Sequence, residues 1–240
     1  MIHLAIVSIL TLSTHSQVLP TDPLPPITYP GPLLLAGGGE TVRAICEAAI
    51  RLAGGIENAR MLIVPQASAS PDAGESSAAL WRELGVRQVE ILRLDDAEAA
   101  REALCRANLI WMPGGVQSRL VDAFAAAGLI DELRLRHAQG AVIGGTSAGC
   151  AAATGVMITG DPVGPPLRSG ATPTAAGLGL WNEAIVDQHF VQRGRFERLM
   201  TAVLDQPHLL GVGVDERTAI IVRDGAIEVV GEGQVVLIDA

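Results

Sequence analysis

Short apolar runs alternate with helical stretches through the first two thirds of this 240-residue chain, and three of the runs end in glycine clusters. Pro32–Ala36, Met61–Pro65, Leu109–Met112 and Ala141–Ile143 are apolar, as strands covered on both faces are, and Gln88–Leu92 is strand-like. Between them, Glu40–Leu52, Ser76–Leu84, Ala97–Ala107, Gln117–Ala127 and Ile130–Gln139 have helical periodicity, and Ser147–Thr154 begins another helix. This alternation implies an α/β fold, a three-layer sandwich with a mostly parallel sheet between helices. In such sheets ligands bind beyond the carboxyl ends of the strands. The turns at Gly37–Gly39, Pro113–Gly115 and Gly144–Gly149 should therefore open on one crevice.

The last third changes character. Asp161–Ala176 is rich in Pro, Gly and Thr and reads as a loop. Ala184–Phe190 reads as a strand and Arg193–Leu204 as a helix carrying several arginines. Leu210–Val214, Thr218–Val222, Ala226–Val230 and Gln234–Ile238 are short, closely spaced strands, with a hairpin turn at Asp224-Gly225, so antiparallel strands join the sheet near the C-terminus. Residues 33–240 form a single domain on this reading.

Composition excludes several classes. A formal net charge of -9 argues against a nucleic-acid partner, which requires clustered cations. All seventeen basic residues are arginine, so any carboxylate held here meets a forked, always-charged donor. Cys46, Cys105 and Cys150 lack metal-ligand spacing and read as small buried thiols; no metal or cofactor is implied. At the N-terminus, Leu4–Leu12 is apolar but too short to span a bilayer. Thr14 and Ser16 have the spacing a signal peptidase reads, and Gln17–Pro32 resembles a Pro-rich tether. The expectation is a signal peptide at 1–16, a tether at 17–32 and a periplasmic or extracellular enzyme with no membrane span in the mature chain. The missing Lys and Arg before the apolar run, where only His3 is basic, favour the alternative of a frayed start and a cytoplasmic protein.

The chemistry centres on Gly145-Thr146-Ser147-Ala148-Gly149, which follows a strand and opens a helix. G-x-S-x-G in that setting is a nucleophile elbow: a sharp turn lifts the serine hydroxyl clear, and backbone N–H groups beside it can receive an oxyanion. Of five histidines, His3 and His15 lie in the leader, and surface positions suit His137 and His208. His189 ends a strand and is the candidate base by elimination. Asp215 and Glu216 follow the strand Leu210–Val214; alternation lets one of them reach the histidine, and pattern alone does not choose.

Five segments together resemble cyanophycinases, serine peptidases whose clan also holds aspartyl dipeptidases. They are Ala36-Gly37-Gly38-Gly39-Glu40, Gly144–Gly149, Gly177-Leu178-Gly179-Leu180, Gly211-Val212-Gly213-Val214-Asp215-Glu216 and the most specific, Asp187-Gln188-His189-Phe190-Val191-Gln192-Arg193-Gly194-Arg195. The order serine, histidine, acid separates this group from α/β-hydrolases, where the acid precedes the histidine. The resemblance runs from about Leu33 to the C-terminus. It implies a glutamine-amidotransferase-like or flavodoxin-like sheet and a triad of Ser147, His189 and Glu216. It also implies oxyanion-hole amides at Gly115 and Ala148, and substrate contacts from Gln117, Asp187, Gln188, Arg193, Arg195 and Arg198. The implied substrate is cyanophycin, a poly-aspartate with arginine on each β-carboxyl, or a related β-aspartyl peptide; the implied product is the β-Asp-Arg dipeptide. The resemblance leaves room for a homodimer.

Val116 departs from the family, which carries Asp between the second Gly and the Gln of that segment. Cys150 replaces the usual Ala after Ser-Ala-Gly. Three alternatives follow: an aspartyl or isoaspartyl dipeptidase, a carboxylester hydrolase, and a catalytically silent binding protein on the same fold.

Overall fold

The computed structural model describes residues 30–164 and 167–240. The expected signal peptide at 1–16 and nearly all of the tether lie outside the described residues. No helix among the described residues is long and apolar enough to cross a membrane.

The first two thirds hold strands β1 (Leu33–Ala36), β2 (Arg60–Ile63), β3 (Gln88–Ile91), β4 (Leu109–Met112) and β5 (Val142–Thr146). They alternate with α1 (Arg43–Leu52), α2 (Ala73–Glu83), α3 (Ala97–Arg106), α4 (Gln117–Ala126) and α5 (Ile130–Ala138), and the short α6 (Ala148–Ala152) follows β5. The remainder holds β6 (Val156–Ile158), β7 (Thr174–Ala176), β8 (Ala184–Gln188), α7 (Phe196–Asp205), β9 (Leu210–Val214), β10 (Thr218–Arg223), β11 (Ala226–Gly231) and β12 (Val235–Ile238).

The main sheet has seven strands in the order β11-β10-β1-β5-β4-β2-β3. Its β1, β5, β4, β2 and β3 are parallel, and β10 and β11 add antiparallel to the β1 edge. Strand β1 shows why its run is apolar throughout. Leu34 and Ala36 face a core with α1 and α2, while Leu33 and Leu35 face a second core with α3, α4 and α6. Burying both faces leaves no position for a polar side chain.

The C-terminal strands divide, which local pattern does not reveal. Strands β8 and β9 pair in parallel, with β12 antiparallel to β9, in a separate three-stranded sheet. Val186 of β8 faces the main core, and Ile185 faces a third cluster with Leu199 and Val203 of α7. The small sheet is thus a further layer between the main core and α7. Part of the expected loop at 161–176 is strand: β7 pairs with β6. Helix α7 begins at Phe196 rather than Arg193, because residues 191–194 are a turn in which Arg193 N–H donates to the His189 carbonyl at 3.0 Å.

Two further expectations are corrected. His137 is buried, its Nε2 lying 2.6 Å from the Gly31 carbonyl oxygen, and burial lowers its pKa. Cys105 is exposed on α3 beside Glu132, whereas Cys46 and Cys150 are buried thiols.

Candidate active site

The carboxyl ends of β1, β5 and β4 are neighbours, so their glycine turns meet on one edge of the sheet. Beyond β5 the chain reverses at Ser147, whose φ of 52° and ψ of -107° are costly for a residue with a Cβ. The Ser147 N–H donates to the Ala36 carbonyl at 3.0 Å, fixing the turn to β1. Gly149 is required by the crowding behind it: a Cβ there would stand 2.1 Å from the Met112 carbonyl oxygen of β4. Helix α6, opened by Ala148, has only five residues, so this turn offers individual N–H groups rather than a macrodipole.

His189 follows β8 directly and also has positive φ, 48°; its N–H donates to the Gly37 carbonyl at 2.6 Å. The imidazole lies over Gly38, where a Cβ would meet its Cε1 at 2.3 Å, so the β1 turn must be glycine at that point. His189 Nε2 is 2.9 Å from Ser147 Oγ, and its Nδ1 is 2.5 Å from Glu216 Oε1. A carboxylate only accepts, so Nδ1 carries the proton toward Glu216 and Nε2 is left as the acceptor for the serine hydroxyl. Burial, the largest influence, lowers the His189 pKa, while the hydrogen bond to Glu216 opposes it and Arg193 and Arg195 reinforce it. The imidazole is therefore held neutral, the form that can take a proton.

Of the two adjacent acids, Glu216 faces His189. Asp215 turns away, buried, and its carboxylate accepts from the Val191 N–H at 3.0 Å and the Gln234 N–H at 3.1 Å. It ties the turn after His189 to the start of β12. Two neighbours of Glu216 were given no role by the sequence, although Gln192 belongs to the most specific of the resembling segments. Gln192 Oε1 accepts from the Glu216 N–H at 3.0 Å. Arg217, at a φ of 57°, donates its N–H to the Gly38 carbonyl and pairs its guanidinium with Glu232 and Glu40.

The expected substrate-contact residues fall into two groups. Asp187 and Arg198 are buried and hold each other through two 2.6 Å bonds, with Arg198 also reaching Asp161 at 3.1 Å. Gln117 donates to the Ile158 carbonyl at 2.7 Å, and the buried Gln188 accepts from Arg195 through both its carbonyl and its side chain. These four side chains are engaged inside the protein. Arg193 is exposed. Arg195 shares its carboxylate: Asp187 Oδ1 is 3.6 Å away and already bound to Arg198. Gln188 Oε1 lies 3.5 Å from Ser147 Oγ, so the Arg195 guanidinium is close to the nucleophile. Replacing Arg198 with Met should strand Asp187 without its principal partner and cost about 3–5 kcal/mol. Urea denaturation measures this, and a loss below about 1 kcal/mol would show that the pair contributes little.

A family model, Peptidase family S51, matches residues 33–230. The chain belongs to peptidase family S51. It is a serine-type peptidase, and the resemblance to cyanophycinases read from its motifs stands. A cyanophycinase of Synechococcus elongatus is 36% identical over 242 residues, covering 94% of this chain and 74% of the relative. One from Geminocystis herdmanii is 35% identical, covering 86% and 80%. The crystal structure of a peptidase from an acI-B1 Actinobacterium matches with a TM-score of 0.66 and 25% identity, covering 89% of this chain and 96% of that one. A putative peptidase E from Listeria monocytogenes matches at a TM-score of 0.60 and 14% identity, which speaks for the fold.

Proposed function

We propose that this peptidase hydrolyses cyanophycin from a chain end, releasing β-Asp-Arg dipeptides through a Ser147-His189-Glu216 triad. The observation that carries the reading is the unbroken relay from Ser147 Oγ through the imidazole to Glu216, with spacings of 2.9 and 2.5 Å, at the rim where three strands end. The relatives named as cyanophycinases supply the substrate class.

Ser147 Oγ attacks the backbone carbonyl of an aspartyl residue as His189 Nε2 takes the hydroxyl proton. The N–H groups of Gly115 and Ala148 receive the resulting oxyanion. His189 returns the proton to the leaving amine, and water then cleaves the acyl-enzyme by the same steps. Glu216 keeps the imidazole in the required tautomer and offsets its charge once protonated.

An aspartyl unit linked through its β-carboxyl presents a free α-carboxylate at the chain end, and each arginine branch ends in its own carboxylate. Forked guanidinium donors suit both. On this reading Arg193 and Arg195 meet those carboxylates, while Asp187, Arg198, Gln188 and Gln117 hold the pocket wall in shape. Val116, in place of the family's Asp, favours one second reading: an aspartyl or isoaspartyl dipeptidase with a less charged substrate.

Incubating purified protein with the polymer and weighing the products separates the two. Release of β-Asp-Arg dipeptide is expected. An untouched polymer beside cleaved isoaspartyl dipeptides would establish the second reading instead.

A further inference from the structure

The ladder that pairs β8 with β9 stops short of the chemistry. Its last rung is Gln188 opposite Val214, and His189 and Glu216 lie one and two residues beyond it. One further main-chain bond joins the strand ends, from the Phe190 N–H to the Val214 carbonyl at 3.2 Å. Strand pairing therefore does not reach Glu216. Two side chains take over where the ladder stops, and they act reciprocally. Asp215, beside Glu216, accepts the Val191 N–H of the turn after His189 at 3.0 Å. Gln192, on that turn, accepts the Glu216 N–H through its Oε1, also at 3.0 Å.

The two contacts hold different things. Asp215 is buried and bonds main chain on two sides, at Val191 and at Gln234, so it serves the fold. Gln192 is exposed, and its bond goes to the main chain of the acid that faces His189. The His189 N–H donates to the Gly37 carbonyl and the Arg217 N–H to the Gly38 carbonyl, so the residues on either side of the acid–imidazole contact are referred to one glycine turn. The Glu216 N–H is referred to Gln192 instead. A hydrogen bond weakens steeply as its length and angle drift, so the 2.5 Å contact from Glu216 Oε1 to Nδ1 tolerates little movement of the backbone that carries it. The residue type suits this task. Gln accepts the N–H without adding charge, whereas Glu would accept it equally well and place a second carboxylate beside Glu216.

We propose that Gln192 is a positioning residue, which carries the register of β8 and β9 past their last rung and sets the Glu216 carboxylate against His189. The inference rests on the Ser147-His189-Glu216 reading and is independent of the substrate. Gln192 acts through Glu216 and touches none of the reacting atoms.

The test is the rate at which a small serine-directed phosphonate labels Ser147, which requires the activated hydroxyl and no peptide. Gln192→Leu should lower the limiting rate of labelling by about tenfold, the worth of one hydrogen bond, with the half-saturating phosphonate concentration unchanged. Gln192→Glu keeps the acceptor and should recover most of the rate. Its added carboxylate joins Glu216, Arg193 and Arg195 among the charges acting on the imidazole and favours the imidazolium, so the acid limb of its pH profile should move to higher pH. In a Glu216→Gln background, Gln192→Leu should lower the rate by less than about twofold, because the group it positions has already been removed. Gln192 is exposed, so folding should survive each change, and a circular-dichroism melt checks it. An undiminished rate in Gln192→Leu, an equal loss in both backgrounds, or a change confined to the half-saturating concentration overturns the positioning role while leaving the triad standing. Absence of labelling in the unaltered protein overturns both.

Discussion

Replacing Ser147 with Ala should reduce turnover by about five to six orders of magnitude, the loss seen when a triad nucleophile is removed. Stability should change by no more than about 1 kcal/mol, because the substitution deletes one hydrogen bond, that to His189. The strained φ and ψ at this position persist, since Ala carries the same Cβ as Ser. The turn is over-determined without the hydroxyl: the N–H of residue 147 still donates to Ala36, and Gly149 still packs on Met112. Substrate affinity should survive, because Arg193 and Arg195 lie on the turn that joins β8 to α7 and do not depend on the serine. Active-site titration with a serine-directed phosphonate gives an independent readout, labelling the unaltered protein and not the variant. Near-full hydrolysis by Ser147→Ala would assign the nucleophile to another residue.

How much of this could be read from the sequence differs by kind of feature. Strands β1, β2, β4 and β5 were legible because burial on both faces demands an unbroken apolar run, and the elbow because its glycines mark a close crossing of strand and helix. Strands β6 and β7 were not. Each has three residues, and β7 is exposed throughout, so neither carries a periodic signal. The division of the C-terminal strands into two sheets was hidden for another reason. Val186 and Ile185 of β8 are buried on opposite faces, and a run buried on both sides does not specify which strand lies beside it. Long-range partners concealed the remaining surprises. His137 lies in an arginine-rich helix and reads as a surface residue until Gly31, 106 positions away, supplies its hydrogen bond. Arg198 reads as one more helix-face cation until Asp187 meets it from β8. Local pattern gave His189 as the candidate base by elimination. It could not assign the side chains that hold the surrounding wall, because those act through neighbours distant in sequence.

The pair Asp215 and Glu216 turns that limit into a prediction with two separable outcomes. Glu216→Gln keeps the size and shape of the side chain, but its amide can present an N–H to Nδ1 and so favour the wrong imidazole tautomer. Turnover should fall by about three to four orders of magnitude with KM little changed. The carboxylate also counters the burial that lowers the His189 pKa. Its removal should therefore move the acid limb of the remaining kcat/KM profile to still lower pH, since less attraction is left for the imidazolium. Melting should hardly change, because Glu216 is only part-buried and its N–H bond to Gln192 is a backbone bond that the substitution spares. Asp215→Asn should behave in the opposite way. Both Asp215 oxygens accept from backbone N–H groups in a buried site, and the Asn amide nitrogen cannot accept. One of the Val191 and Gln234 N–H groups would face another donor, at a loss of about 1–3 kcal/mol in stability. Catalysis below the melting transition should fall far less than in Glu216→Gln, because His189 keeps its own carboxylate. The two variants thus move different observables, turnover in one and unfolding free energy in the other. A large loss of turnover in folded Asp215→Asn, with Glu216→Gln near normal, would transfer the orienting role to Asp215.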